Sequence, residues 1–291
     1  MMLFSLLACL QFHQEALEGR PENYAYSTIR DTHIRYDVQG SGPTVVMIHG
    51  FASSLGVWEQ MMPTLTKNYR VIRMDLKGFG WSSRPKGDYS PQEQSAIVWK
   101  LLEEIGVDDF MLVAHSWGSS VALNMALEQP KRIHKIALYD AWVYDEQLTS
   151  FFIWARNPGF GETLFTMWYK ERADDRMSAA FYDVDRYVTQ EFVDHVYSVL
   201  DRPGTVAAAL EAVRGQHYET IQHRYKDINI PTLLLWGKQD NVTPLWVGEK
   251  LASELPQSQL KTYGSCGHFP MIEAYGPSTH ALLTFLKEGQ P

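Results

Sequence analysis

The sequence predicts an α/β fold in which a mostly parallel central sheet is covered by helices on both faces. Short, continuous apolar runs alternate along the chain with longer stretches of helical periodicity. Strands that are buried on both faces of a parallel sheet have such apolar runs. The length of 291 residues suits one large domain with an insertion, or two small ones. Apolar residues make up 45% and charged residues 21%, which is typical of a globular protein.

The predicted strands are short apolar or alternating segments bounded by turn residues. They cover residues 24–28, 33–38, 44–48, 71–74, 110–114, 133–139 and 232–236. Gly-Ser-Gly-Pro at 40–43 closes the second strand, and the later strands are apolar throughout. The predicted helices cover residues 57–66, 91–105, 117–128, 246–254 and 275–286. This alternation is the basis for predicting a parallel sheet.

Residues 143–227 interrupt the alternation, because they have helical periodicity and no apolar run of the buried-strand kind. We predict a helical cap over one end of the sheet, with the core formed by 23–142 and 228–291. Most of the cap's aromatic side chains are expected to build its own core, and the rest to line an apolar pocket. These aromatics are Phe151, Phe152, Trp154, Phe160, Phe165, Trp168, Tyr169, Phe181, Tyr182, Tyr187, Phe192 and Tyr197.

The N-terminal segment, residues 1–22, begins with the apolar sequence MMLFSLLACL. That run is shorter than the roughly 20 residues that span a bilayer, and it lacks the basic region and cleavage site of a secretory signal. Through residue 17 it is compatible with one amphipathic helix ending near Gly19 and Pro21. We expect this helix to pack on the protein, with weak membrane-surface contact as the alternative. A cytoplasmic location is expected, with peripheral membrane attachment or export as alternatives.

Charge and cysteine content disfavour nucleic acid and metal ions as partners. The net charge of −8 disfavours nucleic acid, which needs a basic face. Cys9 and Cys266 are far apart and have no metal-ligand spacing, and the ten histidines include no HExxH. We therefore expect neither a metal nor a cofactor. The sequence does not predict the oligomeric state.

The strongest functional signal is Val-Ala-His-Ser-Trp-Gly-Ser at 113–119, where an apolar strand runs through Ser116 into a helix. A serine at such a sharp turn has strained backbone, so the residues two before and two after it must be small. Here they are Ala114 and Gly118. The helix N-terminus beside the serine offers N–H groups to a developing oxyanion. Ser116 is therefore predicted to be a nucleophile, although serine at a helix start is also an ordinary N-cap.

A serine nucleophile needs a base and a carboxylate that orients the base. Asp240 lies in the loop just past the predicted strand 232–236, and His268 lies in a glycine-rich loop before the last helix. The order Ser…Asp…His, with each residue at a predicted strand end, predicts a catalytic triad.

These motifs make the sequence similar to the α/β-hydrolase superfamily, specifically to its capped serine hydrolases of the esterase and lipase type. The similarity runs from about Tyr24 and includes HGF at 49–51, DLKGFGWS at 75–82, WGKQD at 236–240 and GHFP at 267–270. It implies that the backbone N–H groups of Phe51 and Trp117 form the oxyanion hole, with Gly50 allowing close approach of the main chain. One departure is Ala114, where relatives more often have glycine.

The resemblance leaves one alternative open for the acid. Asp140 ends the strand after the nucleophile helix, and some relatives supply the acid from that position. We favour Asp240, because the sequence around it matches the usual acid loop, and we expect Asp140 to be structural otherwise.

Relatives that open epoxides or displace halide use aspartate as nucleophile, whereas serine suits acyl chemistry at carbonyls. We therefore predict hydrolysis of a small ester with an apolar group. Carbon–carbon bond hydrolysis by the same triad is the first alternative. Proline aminopeptidase activity comes third, because the HGGPG segment is absent. The alternative that is not an enzyme is a ligand receptor of the same fold.

Overall fold

The computed structural model describes residues 10–169 and 173–288. Within these residues, eight strands form one sheet in the order β1-β2-β4-β3-β5-β6-β7-β8. The first two strands pair antiparallel, as do β2 and β4, and all other neighbours are parallel. The strands are β1 Ala25–Ile29, β2 Thr32–Gln39, β3 Thr44–Ile48, β4 Arg70–Met74, β5 Phe110–His115, β6 Ile133–Tyr139, β7 Thr232–Gly237 and β8 Ser258–Tyr263. The predicted α/β fold is thus confirmed.

Helices connect the parallel strands and cover both faces of the sheet. The α-helices of the described chain are α1 Met62–Leu65, α2 Pro91–Glu104, α3 Gly118–Glu128, α4 Ser150–Ala155, α5 Phe160–Trp168, α6 Ala173–Ala180, α7 Val184–Tyr187, α8 Gln190–Leu200, α9 Thr205–Arg214, α10 Leu245–Glu254, α11 Pro270–Glu273 and α12 Tyr275–Lys287. Short 3-10 helices cover Leu55–Met61, Pro130–Arg132, Asp145–Gln147, Tyr218–Thr220 and Gln222–Asp227. No helix among the described residues is both long enough and apolar enough to cross a membrane.

The apolar strands contribute to two cores, one on each face of the sheet. In β3, Val46 and Ile48 pack into the cluster that also contains residues of α2 and α3. Val45 and Met47 point to the opposite face and pack with residues of α12. Because successive strand residues alternate between faces, one continuous apolar run supplies both cores.

The strand β8 was not expected from the sequence. Its residues SQLKTY are mostly polar, and their exposure alternates along the strand. It lies at the edge of the sheet, where it pairs with β7 alone. An edge strand that faces solvent on one side needs no continuous apolar run, so the pattern that identified the buried strands missed this one.

The helix predicted for the N-terminal segment is wrong where the structure describes it, since residues 10–22 contain no helix. His13 instead forms a two-way backbone pair with Arg84, with N···O distances of 2.8 and 2.7 Å. Leu17 is buried. These backbone bonds to the loop after β4 replace the bonds of a helix. Residues 1–9, on which the rest of that prediction falls, lie outside the described residues.

The predicted helix 57–66 forms in two parts, a 3-10 helix at Leu55–Met61 and the short α1. Pro63 stands in the first turn of α1, where its missing N–H costs nothing. The other predicted helices are confirmed to within a few residues.

Between β6 and β7, the described residues form α4 to α9 and short 3-10 helices, with no strand among them. Part of this region has its own apolar cluster, which includes Ala155, Phe165 and Leu210. The division into a core and a cap at residues 143 and 227 stays a prediction.

Candidate active site

Ser116 occupies the sharp turn between β5 and α3, and its backbone has a φ of +50°. A Cβ at Gly118 would lie 2.3 Å from the carbonyl oxygen of His49, and one at Gly50 would lie 2.9 Å from the Ser116 Cβ. Real Cβ atoms essentially never make contacts this short. The two glycines therefore let β3, the nucleophile turn and α3 pack close together, which is the reason for small residues in this motif.

His268 and Asp240 form a hydrogen-bonded pair at 2.7 Å between Nδ1 and Oδ2. Asp240 also accepts hydrogen bonds from the backbone N–H groups of Val242 and Thr243, at 2.7 and 2.9 Å. Burial raises the pKa of Asp240, but the attraction of His268 and the hydrogen bonds from His268 and Thr243 outweigh it, so the pKa lies below its ordinary value. Asp240 is thus a carboxylate that fixes the histidine ring and directs its Nε2 away from the acid.

The loop that carries His268 is held by neighbouring elements. The backbone N–H of His268 donates to the carbonyl of Ala180 at 2.7 Å. Its carbonyl accepts a hydrogen bond from the Nε2 of His115 at 2.8 Å. Burial, followed by the nearby His268, lowers the pKa of His115 well below its ordinary value. His115 is therefore a neutral donor that supports the loop.

Asp140, the alternative acid, lies close to both Asp240 and His268. One oxygen of each carboxyl group and one ring nitrogen of His268 lie within 4.8 Å of one another. Asp140 Oδ1 accepts the backbone N–H of Gly237 at 2.9 Å. Burial, followed by the charge of Asp240, raises the pKa of Asp140 well above its ordinary value. Among the described residues, the Nδ1 of His268 is hydrogen-bonded to Asp240 at 2.7 Å and not to Asp140, so the geometry favours Asp240 as the acid.

Phe51 and Trp117 flank the serine, as the oxyanion-hole prediction requires. Phe51 follows Gly50 in the loop after β3, and Trp117 follows Ser116 at the start of α3. Their rings meet edge to face, with centroids 6.2 Å apart. Among the residues described, neither backbone N–H donates to a protein acceptor. Both donors are therefore available to a ligand.

Aromatic side chains surround Phe51 and make one wall of the site apolar. Its ring centroid lies 5.6 Å from that of Phe79, 5.7 Å from Phe152 and 6.5 Å from Tyr169. Phe152 and Tyr169 belong to the predicted cap. Two of the cap aromatics named from the sequence thus contact Phe51, while Phe165 is fully buried in the cap cluster.

Two residues that support the site were not singled out from the sequence. His49 accepts the backbone N–H of Leu76 at Nε2, 3.0 Å away, and its Nδ1 donates to the carbonyl of Gly50 at 2.7 Å. It therefore fixes the loop that carries Phe51. Only the HGF motif pointed to it. Glu273, the second residue, joins the His268 loop to the segment after α6, and nothing distinguishes it in sequence from other helix glutamates.

Comparisons with known proteins show the family and the fold. A family model described as the alpha/beta hydrolase fold matches residues 43–275. A 2-hydroxy-6-oxo-2,4-heptadienoate hydrolase of Pseudomonas putida is 29% identical over 247 residues, which cover 80% of this chain and 85% of that protein.

Two solved structures have the same fold. A meta-cleavage product hydrolase from Pseudomonas fluorescens aligns with a TM-score of 0.76 at 22% identity, covering 91% of this chain and 98% of that one. A thermophilic esterase from Thermogutta terrifontis aligns with the same TM-score, identity and coverage. At these identities the similarity shows the fold alone.

Proposed function

Because the chain belongs to the alpha/beta hydrolase family, we propose that it is a serine hydrolase that cleaves carboxylic esters with an apolar group. The proposal is carried by one observation, the buried His268–Asp240 pair in the same site as a serine on a strained strand-to-helix turn. Hydrolases of this fold include both esterases and carbon–carbon bond hydrolases.

In the proposed reaction, Ser116 Oγ attacks the ester carbonyl while His268 Nε2 takes its proton. The N–H groups of Phe51 and Trp117 donate to the oxygen that becomes negative. His268 then gives the proton to the leaving alcohol, and an acyl group remains on Ser116. Water, deprotonated by His268, attacks this acyl group, and the proton returns to Ser116 as the acid leaves. Loss of one oxyanion donor costs roughly 3–4 kcal/mol in such sites.

The aromatic wall supports an apolar substrate group. Phe152 and Tyr169 contact Phe51, whose ring meets that of Trp117, and rings bury large apolar area with few rotatable bonds. The guanidinium group of Arg84 is fully buried and hydrogen-bonded within the protein, so its charge is not available to a ligand. It donates to Thr205 Oγ1 at 3.1 Å, and to the carbonyls of Ser82 and Gly80 at 2.5 and 2.8 Å.

Turnover of p-nitrophenyl acetate and butyrate by the purified protein tests the proposal. We expect hydrolysis of both esters and a fall in kcat of roughly four to six orders of magnitude in Ser116→Ala. Far-ultraviolet circular dichroism of the variant controls for folding. Tight binding of such ligands with no turnover of any acyl chain length would contradict the proposal and favour a ligand receptor.

Carbon–carbon bond hydrolysis is the second candidate, and the relatives favour it. Besides the heptadienoate hydrolase, a 2-hydroxymuconate semialdehyde hydrolase of Pseudomonas is 28% identical over 251 residues. Assays of a 2-hydroxy-6-oxo-dienoate beside p-nitrophenyl butyrate separate the two reactions. A kcat/KM for the dienoate that exceeds that for the ester by a hundredfold or more would replace ester hydrolysis as the conclusion.

A further inference from the structure

The helical hairpin of α4 and α5, here called the cap hairpin (residues 150–168), concentrates exposed apolar side chains. Ile153, Trp154, Phe160 and Met167 are each about half exposed, at 48, 57, 50 and 49%. Elsewhere in the described chain, large apolar side chains with comparable exposure are scattered singly, at Val38, Tyr182 and Trp246. Single exposed apolar residues are ordinary, whereas a group of them indicates an interaction surface.

The outer face of the cap hairpin also has no exposed charge among its described side chains. Its sequence contains two charged residues, Arg156 and Glu162. Both are partly buried and have partners in the protein. Arg156 donates to the carbonyl of Gln216, and Glu162 pairs with Arg214 on α9 at 2.9 Å. What remains exposed is Ile153, Trp154, Phe160 and Met167 together with small and uncharged polar residues.

The inner face of the same hairpin reaches the candidate active site. Phe152 on α4 contacts Phe51, and Phe51 contacts Trp117 beside the nucleophile. The hairpin that carries the exposed apolar residues therefore also contacts the loop that carries Phe51.

The N-terminal segment meets the cap at the same cluster. Leu10 packs against the apolar cluster that includes Ala155 of α4 and Phe165 of α5. The residues before it, MMLFSLLAC, contain no charged side chain.

We propose that the outer face of the cap hairpin docks on a zwitterionic lipid surface, with Trp154 and Phe160 entering the headgroup region. Tryptophan prefers this region because its ring is apolar and its N–H is polar. A protein face without exposed charges can contact the hydrocarbon part of a bilayer. The net charge of −8 disfavours binding of the protein to an anionic bilayer. That lipid-borne esters are substrates rests on the proposed ester hydrolysis. The proposed docking does not depend on ester hydrolysis.

Sedimentation with phosphatidylcholine vesicles tests the docking directly. The full chain is compared with the double variant Trp154→Ser/Phe160→Ser and with Trp246→Ser, whose side chain is 45% exposed on α10, outside the hairpin. We expect the wild-type protein and Trp246→Ser to bind alike, and the double variant to bind at least tenfold more weakly. Vesicles that contain phosphatidylserine should bind the wild type more weakly at low ionic strength.

Two activity assays accompany the binding measurement. Turnover of soluble p-nitrophenyl acetate should be the same in all three proteins, which shows that the fold and the site are intact. Turnover of a long-chain ester embedded in the vesicles should fall at least tenfold in the double variant alone. If the soluble ester is not hydrolysed, the proposed function fails while the vesicle binding still decides the docking.

Three results would overturn the docking. The wild-type protein could fail to sediment with vesicles, or the double variant could bind as well as Trp246→Ser. A concentration-dependent dimer that is lost in the double variant, with no vesicle binding, would assign the face to a second copy of this chain. Light scattering after size-exclusion chromatography measures that outcome.

Discussion

Asp140 and Asp240 are both buried aspartates, yet their surroundings favour opposite charge states. Asp240 lies against the His268 ring and accepts two backbone N–H groups, and these contacts stabilise its negative charge. Asp140 accepts one backbone N–H and faces the charge of Asp240, so its neutral form is preferred. Two carboxylates this close do not both ionise easily. The carboxyl group whose ionised form is favoured, that of Asp240, is therefore also the one that is hydrogen-bonded to His268.

We therefore expect different effects from replacing each aspartate with asparagine. Asp240→Asn should lower kcat/KM by roughly three to four orders of magnitude, because the ring loses its orienting charge. Asp140→Asn should lower it by tenfold or less, because the amide oxygen still accepts the Gly237 N–H. Steady-state kinetics on p-nitrophenyl butyrate measure both. A larger loss in Asp140→Asn would make Asp140 the acid.

At the scale of elements, the His268 loop is fastened to the segment that follows α6. Glu273 on α11 accepts the backbone N–H of Gly267 at 2.6 Å with one oxygen. Its other oxygen accepts the N–H groups of Tyr182 and Asp183 at 2.8 and 3.1 Å. One carboxylate thus joins the loop before α11 to the predicted cap, and it does so beside the His268–Ala180 backbone bond.

Glu273→Ala should release this connection and allow the His268 ring to move. We expect kcat to fall about tenfold with little change in KM, since substrate binding depends more on the aromatic wall than on the base. Cleavage by a protease near residues 180–185 should also become faster. Glu249→Ala, at an exposed position on α10, is the matched control and should change neither. Equal kinetics and equal cleavage in the two variants would refute the connection.

The elements that the sequence predicted are those whose local pattern matches their final surroundings. β3 and β5 are buried on both faces, so their apolar runs were sufficient evidence. The Ser116 and Asp240 motifs follow such strands, β5 and β7, whereas the His268 motif follows the partly exposed edge strand β8. β8 and the chain around His13 owe their structure to backbone bonds with distant segments. The role of Glu273 likewise depends on which loop lies opposite α11. Such long-range contacts leave no local pattern to read.

At the scale of the whole molecule, the parallel sheet brings distant residues to one edge. Ser116, Asp240 and His268 follow β5, β7 and β8, whose C-terminal ends lie side by side or one strand apart.

The packing of the sheet and helices also buries two histidine side chains. His49 and His115 are almost completely buried, and burial is the largest cause that lowers both pKa values. Neutral buried histidines connect the stability of the whole molecule to pH.

The free energy of unfolding should therefore depend on His115 below about pH 6.5, the ordinary pKa of histidine. There the unfolded chain binds a proton that the folded protein, with its lowered pKa, does not bind, so stability is lost as the pH falls. Each such histidine contributes a slope of about 1.4 kcal/mol per pH unit. The raised pKa of Asp140 acts in the opposite direction, because the folded protein keeps a proton there that the unfolded chain releases.

His115→Gln isolates the contribution of one histidine. Denaturant titrations of the wild type and the variant between pH 5 and 7.5 should give curves that converge as the pH falls. The difference in unfolding free energy should change by about 1.4 kcal/mol per pH unit below pH 6. Parallel curves would show that His115 is protonated in the folded protein as well.

The residues with left-handed backbone have a consequence for engineering. Within the described chain, the non-glycine residues with positive φ are Arg30, Ala52, Ser116, Asp140 and Ser265. Apart from Arg30, each lies in a loop at the C-terminal end of a strand that borders the candidate site. Glycine would relieve about 1 kcal/mol at such a position. A selection for heat resistance would therefore find stabilising replacements at Ser116 and beside it, and it must be coupled to a screen for activity to keep the proposed nucleophile.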